Sequence, residues 1–298
     1  MTTPYRSGFV ALVGRPNVGK STLLNRLVGR KVAITANRPQ TTRNRIAGVC
    51  HRDAFQAIFL DNPGIHRPTH TLNRIMVRTA MEGLGEMDLL LFMVEPDRTA
   101  GGGDRYIADA LRGLGAPVWL LVNKIDTVPR GDLLGTIDAF KDLVTFEEVF
   151  PISAHTGDNI EELLQAVGRR LPEGPEYFPA GMVTDLPEDF VLAELIREQV
   201  IRRLREELPY GVAVRLDHIE EEADRPLTRI AATIFVEREN HKGMVIGAKG
   251  SVLKAIGTDS RHAIERVLGT PVFLELHVTA SPNWRNEVAR LRAFGFEP

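Results

Sequence analysis

Cysteine occurs once in the 298 residues, at Cys50, so no internal disulfide can form and a reducing compartment is expected. Aromatic residues are scarce, at 6% of the chain with two tryptophans. No Cys/His grouping has the spacing of a metal site. Long apolar runs are also missing. The most apolar segments, Leu89–Val94 and Val118–Val122, fall far below the ~20 residues that span a bilayer and have the length of buried strands. Behind Met1-Thr2-Thr3-Pro4-Tyr5-Arg6 there is no apolar stretch, so no secretory signal is expected. An excess of positive charge is absent too: the net charge is −2, and residues 181–298 carry 16 Lys and Arg against 19 Asp and Glu. Binding of a polyanion must therefore rest on a local surface. Segment 240–254 offers one, with Lys242, Lys249 and Lys254 and no acidic residue.

What is present suggests two domains, the natural outcome for a chain of this length. Short apolar runs at Phe9–Val13, Ile46–Cys50, Ala54–Leu60, Leu89–Val94, Val118–Val122 and Val149–Ile152 read as strands. Helical patterns separate most of them, which predicts an α/β domain over 1–171 with a mostly parallel six-stranded sheet covered on both faces. The second and third runs are close enough to form a hairpin. Residues 172–189, with Pro172, Pro175, Pro179 and Pro187, read as a linker. Over 190–298 the pattern becomes α+β. Apolar residues recur at helical spacing from Val191 to Leu204, strands are expected at Val212–Ile219 and Arg229–Glu237, and two helices flank a glycine turn before a last strand, Val272–Val278.

Gly14-Arg15-Pro16-Asn17-Val18-Gly19-Lys20-Ser21, continued by Thr22, fits GxxxxGK[ST] between a strand and a helix over Ser21–Val28. Small residues there let backbone N–H groups turn toward phosphates at a helix N-terminus. Lys20 would neutralise β/γ oxygens and the Ser21 hydroxyl would bind Mg2+. Asp61-Asn62-Pro63-Gly64 fits DxxG, with Asp61 holding Mg2+ through water and the Gly64 N–H sensing the γ-phosphate. Asn123-Lys124-Ile125-Asp126 fits NKxD. A carboxylate at Asp126 can accept from guanine N1–H and the 2-amine, which adenine cannot offer. Ser153-Ala154 would present a backbone N–H to the guanine O6. Of Thr41 and Thr42, Thr42 is favoured to complete the Mg2+ shell. The catalytic set is thus Lys20, Thr42, Asp61 and Gly64, and the metal set Ser21, Thr42 and Asp61. Ile65 stands where Ras-type enzymes place a water-orienting glutamine, so slow intrinsic hydrolysis is expected. Arg43 and Arg45 could serve as charge stabilisers, but read better as solvated or RNA-facing residues.

Gly247-Ala248-Lys249-Gly250 lies between two helical patterns in a helix–strand–strand–helix–helix–strand order. Such a GxxG turn lets an RNA backbone approach the main chain. Lys242, Met244, Val245, Ile246, Gly247, Ala248, Lys249, Gly250, Val252 and Lys254, with Leu253 and Ile256, are the residues expected around a groove for about four unstacked bases.

Taken together, GRPNVGKST (14–22), PQTTRNRI (39–46), DNPG (61–64), NKID (123–126), SAHTG (153–157), ELPYG (207–211), VERENHKGMVIGAKG (236–250) and LELHV (274–278) resemble the Era family of bacterial GTPases across nearly the whole chain. That family joins a Ras-like P-loop GTPase domain to a type II KH domain. Asn62 departs from its usual threonine, with little consequence expected. The resemblance implies GTP/GDP and Mg2+ as ligands, and GTP hydrolysis coupled to binding near the 3′ end of 16S rRNA during 30S maturation. It also implies a cytoplasmic, monomeric protein with peripheral contact to the inner face of the cell membrane. Trp284, Val288, Leu291 and Phe294 could be offered as a membrane face, but packing on the KH sheet is the stronger expectation. Three other readings compete. A tRNA-modifying GTPase would want a C-terminal cysteine and an N-terminal folate-binding domain, neither of which is here. An ATPase or kinase is disfavoured by Asp126. An RNA-binding scaffold with little turnover is kept open by Ile65.

Overall fold

A computed structural model describes residues 4–36, 38–66, 68, 70–97 and 99–296. The chain divides into two compact units. The first contains 1–35, 42–69 and 76–185; the second contains 36–41, 70–75 and 186–298.

In the first unit, strands β1 (Arg6–Gly14), β2 (Ile46–Arg52), β3 (Phe55–Asp61), β4 (Leu89–Val94), β5 (Val118–Val122) and β6 (Glu148–Pro151) form one sheet in the order β2-β3-β1-β4-β5-β6. Only β2 runs antiparallel to its neighbour, through the hairpin with β3. The helices are α1 (Lys20–Val28), α2 (Thr71–Met81, which begins among the residues of the second unit), α3 (Gly102–Leu111), α4 (Leu133–Phe140) and α5 (Ile160–Arg170). Strands β3, β4 and β5 are buried along their whole length, as their unbroken apolar runs demand of a sheet covered on both faces. Ala11, Val13, Leu90, Phe92, Val94, Leu120 and Val122 share one face with Ile107, Leu111 and Phe140. Helices α1 and α5 pack over β1 and β3.

The expected linker is not an idle tether. Ser7 N–H donates to Pro172 O (3.0 Å), Gly174 N–H to Tyr5 O (3.1 Å) and Val49 N–H to Val183 O (2.9 Å). The Gln56 amide, fully buried, holds the backbone of Tyr177 and Phe178. Residues 172–185 therefore strap the sheet and belong to the first unit.

In the second unit, α6 (Glu188–Arg203), β7 (Ala213–Glu221), β8 (Thr228–Val236), α7 (Glu239–Ile246), α8 (Ser251–Leu268), β9 (Val272–Ala280) and α9 (Val288–Ala293) follow in order. The sheet is β7-β8-β9, antiparallel then parallel, so β9 is an edge. Alternation sends Val272, Leu274, Leu276 and Val278 toward the helices and leaves Phe273, Glu275 and His277 exposed. Trp284 is fully buried, donates to Gly211 O (3.0 Å) and packs edge-on to Phe294. Arg197 on α6, 3% exposed, is paired with Glu194 and donates to the Thr41 carbonyl.

Candidate functional site

The cradle is built where β1 hands over to α1. Residues 14–19 turn onto a helix N-terminus whose first N–H groups have no partner within the helix. Gly19 has φ 106°, and a Cβ there would fall 2.2 Å from Asn123 Nδ2, so only glycine fits. Asn123 ties three loops together: its amide donates to Val18 O (2.7 Å) and accepts from Ala154 N–H (2.9 Å). Arg15 turns its guanidinium to Asp104 (2.8 Å) and Asp97 (3.2 Å), so its side chain is committed to carboxylates beside the cradle. Pro16, Asn17, Val18 and Thr22 complete the loop and first turn.

Lys20 is 6% exposed and donates to the carbonyls of Gly14 (3.1 Å) and Arg15 (3.0 Å). Burial lowers its pKa to about 8, against the pull of Asp61. Asp61 is fully buried and its pKa is raised by burial, opposed by Lys20, Ser21 and Thr42. Its Oδ2 accepts from Ser21 Oγ (2.5 Å) and Thr42 Oγ1 (3.3 Å), and the two hydroxyls lie 2.7 Å apart. Thr41 turns elsewhere, donating to Arg38 O (2.7 Å). Three oxygen ligands from three loops thus converge, and the buried Oδ1 of Asp61 has no hydrogen-bond partner among the described residues. Two hydroxyls and a carboxylate with an orphaned oxygen suit a hard cation such as Mg2+, which takes oxygen ligands and completes its shell with phosphate and water. The N–H of Ile65 donates to Gly14 O (3.3 Å), bringing Gly64 against the cradle.

Around the base position, Asp126 Oδ1 accepts from Ser153 Oγ (2.6 Å), and Lys124 adopts a left-handed backbone (φ 65°). Ile125 opens the short 3-10 turn that carries Asp126. Of the Ser153-Ala154 backbone N–H groups expected for O6, that of Ser153 donates to Asp158 O (3.1 Å) and that of Ala154 to Asn123 Oδ1, so recognition through either requires a shared bond. The pairing of Lys124 with Glu95 at the end of β4 escaped the sequence reading. Glu95 also lies 3.7 Å from Arg15. An acid directly after the apolar run 89–94 was the available signal.

Two arginines differ from expectation. Arg43 is 4% exposed rather than solvated. Arg45 donates to Asn62 Oδ1 (3.2 Å) and to the carbonyls of Thr79 (2.6 Å) and Glu82 (2.5 Å). Asn62, 1% exposed, is therefore more than a spacer. Ile65 is 1% exposed, and its side chain lies in the cluster of Val13 and Phe92.

In the second unit α7 ends at Gly247, and α8 starts after Gly250. Gly247 has φ 74°, and a Cβ there would lie 2.4 Å from Val252 Cγ2. Lys249 is left-handed (φ 50°) and exposed. Beside the turn lies a groove of about 530 Å3, lined by Gly250, Leu253, Lys254, Gly257, Thr258, Arg261, Val272, Phe273, Leu274 and Leu276. Of the residues expected around it, Leu253, Lys254 and Gly250 line it, while Lys242, Met244, Ile246, Gly247, Ala248 and Lys249 cluster at the turn. Val245 and Ile256 are fully buried in the core, and Val252 is partly buried against it, so these three do not offer a base-facing surface. Period counting from Gly250 would have found the helical wall, since 250, 253, 254, 257, 258 and 261 share one face of α8. The β9 wall carried no such local sign.

Comparison with known proteins agrees with this geometry. A family model described as 50S ribosome-binding GTPase matches residues 9–124, and a KH domain model matches 207–285. The chain is 48% identical to GTPase Era of Geobacter metallireducens, covering 98% of each. It is also 48% identical to GTPase Era of Heliobacterium modesticaldum, over 98% of this chain and 97% of that one. Among solved structures, an Aquifex aeolicus Era variant bound to GDP and AlF4− superposes with TM-score 0.94 at 40% identity, covering 98% of this chain and all of the other. A structure of Era with MgGDPNP and nucleotides 1506–1542 of 16S ribosomal RNA also gives TM-score 0.94 at 40% identity, over 99% of this chain and 100% of that one.

Proposed function

Because the chain belongs to the Era family of GTPases, we propose that it is a GTP-hydrolysing switch that binds the 3′ end of 16S rRNA and assists maturation of the 30S subunit. The observation that carries the switch is the meeting of Ser21, Thr42 and Asp61, which join the phosphate loop, the TTR segment and DxxG at one point. Ser21, Thr42 and, through water, Asp61 would hold Mg2+, which would supply neutralisation of the charge on the phosphate oxygens. Lys20 faces the same oxygens, the Gly64 N–H reads the γ-phosphate, and Asp126 selects guanine. Thr42 is bonded to Thr41, whose carbonyl Arg197 holds within the second unit.

The RNA half of the reading rests on the GxxG turn and its groove, and on the relative solved with a 16S rRNA segment. The buried Ile65 favours slow intrinsic turnover, with the attacking water held by backbone or by an outside group. This keeps a second reading in view, an RNA-binding scaffold whose nucleotide serves stability. A cytoplasmic site of action follows from the proposed substrate. A membrane face at the C-terminus gains no support, because Trp284 and Leu291 are buried, Phe294 packs on Phe235 at 4.7 Å, and of the four residues offered Val288 alone is exposed.

The test is binding of labelled GTP, GDP and ATP, each repeated with a short single-stranded RNA copying the 3′ end of 16S rRNA, together with multiple-turnover hydrolysis. Guanine-only binding, slow turnover and tighter RNA capture with a GTP analogue support the switch. No turnover, with RNA affinity indifferent to nucleotide, replaces it by the scaffold.

A further inference from the structure

Phe273 breaks the rule its strand otherwise follows. On β9 the outward positions are Phe273, Glu275 and His277, and this phenylalanine is 44% exposed where a polar residue would cost nothing. It pairs in register with Arg229 of β8, whose guanidinium carbon lies 5.0 Å from the ring centroid. Arg229 is itself anchored by Glu222 (2.5 Å). One face of the ring is therefore covered by a fixed cation on the β8 side. Because β9 is an edge strand, no strand among the described residues pairs with it on the other side. Phe273 is among the residues lining the groove that runs from Gly250, and Arg261, paired with Glu265 (2.9 Å), stands on the groove's helical wall with Lys254 nearer the turn.

We infer that Phe273 is a base-stacking subsite at the end of the groove away from the GxxG turn, taking an unstacked nucleobase of the RNA that continues past the bases held at the turn. The inference rests on the RNA reading above. A GxxG groove holds about four nucleotides by backbone approach and base edges. A flat exposed ring adds what that groove lacks, a π-face that any base can use. Arg229 behind the ring fixes its orientation, and Lys254 and Arg261 supply charge along the path of the phosphates. Glu275 and His277 follow Phe273 on the same outward face and offer no comparable apolar surface.

The experiment titrates the full chain, with a GTP analogue, against a single-stranded RNA of about four nucleotides and one about twice as long, both copied from the 16S 3′ end. Phe273→Ser should weaken the longer RNA by about tenfold and leave the shorter unchanged, as expected for loss of one stacked base. Phe273→Tyr should bind as the parent, whereas Phe273→Leu should behave as Phe273→Ser. The salt dependence should not change in Phe273→Ser, while Arg261→Gln should lower its slope by about one. Equal loss on both RNAs, or full retention by Phe273→Leu, overturns the stacking role. Gly250→Asp separates the two levels. If it abolishes binding while Phe273→Ser changes nothing, the subsite alone fails. If the parent binds neither RNA, the RNA reading fails and the subsite with it.

Discussion

Asn62 Oδ1 accepts from Arg45 Nε at 3.2 Å, which fastens the middle of DxxG to the entry of β2. The same guanidinium reaches the carbonyls of Thr79 and Glu82 at the C-terminal end of α2, where a cation also complements the helix dipole. Arg45→Ala leaves a buried acceptor on Asn62 unpaired, a loss of about 1–3 kcal/mol. Thermal unfolding should fall by roughly 2–4 °C for each kcal/mol. Gly64 lies two residues beyond Asn62, so slack there should weaken a GTP analogue more than GDP. Asn62→Thr keeps an acceptor and should lose less. Equal losses for both nucleotides in Arg45→Ala would count against the positional role.

Lys20 makes nucleotide binding pH-dependent in a defined direction. Burial lowers its pKa to about 8 in the free protein, so the ammonium starts to lose its proton there. Phosphate oxygens beside it favour the charged form and raise the pKa in the complex. Between the two values the complex holds more protons than the free protein, so affinity falls as pH rises above about 8 and binding takes up protons. Folding of the free protein runs the other way. The unfolded lysine, at 10.5, holds more protons than the folded one, so stability rises from about pH 8 to 10.5. Calorimetry of GDP binding near pH 8.5 (about half a unit above that pKa) in two buffers of different ionisation enthalpy measures the uptake. A buffer-independent heat rules it out.

The parts of this molecule that could be read in advance are those where spacing alone carries the geometry. Gly14–Ser21 works because a strand must end and a helix begin within eight residues, and Ile46–Asp61 folds as a hairpin because its two strands are separated by so few residues. Residues 172–185 were illegible for the opposite reason. Their backbone groups pair with Tyr5, Ser7 and Val49, and the Thr184 hydroxyl donates to Ala47 O, all more than a hundred residues away, and proline content says nothing of such partners. Val245 and Ile256 look as apolar as Leu253, and only tertiary packing decides that they lie within the core cluster while Leu253, partly buried against it, lines the groove. Arg45 reads as a surface charge because the carbonyls that accept from it lie at and just beyond the C-terminal end of α2, more than thirty residues away.

Ile65 invites the substitution Ile65→Gln, on the thought that a Ras-type side chain would speed hydrolysis. Its burial at 1% exposure argues against that outcome. An amide placed beside Val13 and Phe92 costs about 1–3 kcal/mol unless it finds a partner. The variant should unfold at lower temperature and hydrolyse GTP no faster than the parent. A clear acceleration in a single-turnover assay would mean that this side chain does reach the attacking water.

Gly250 is the cleaner of the two turn glycines for separating RNA binding from nucleotide binding. A side chain at Gly247 collides with Val252 and displaces the joint between α7 and α8, so loss of RNA binding there could reflect damage to the unit. At Gly250 a Cβ meets nothing within 4 Å, and the left-handed backbone, φ 76°, is one that aspartate tolerates better than most residues. Gly250→Asp therefore places a carboxylate in open space where an RNA phosphate has to approach. Thermal unfolding should stay close to that of the parent, and single-stranded RNA should bind about tenfold more weakly or worse, most strongly at low salt. GTP and GDP affinities should be unchanged, because residues 14–21, 61–64 and 123–126 all belong to the first unit. A parallel fall in nucleotide affinity would mean that turn and cradle are one site rather than two.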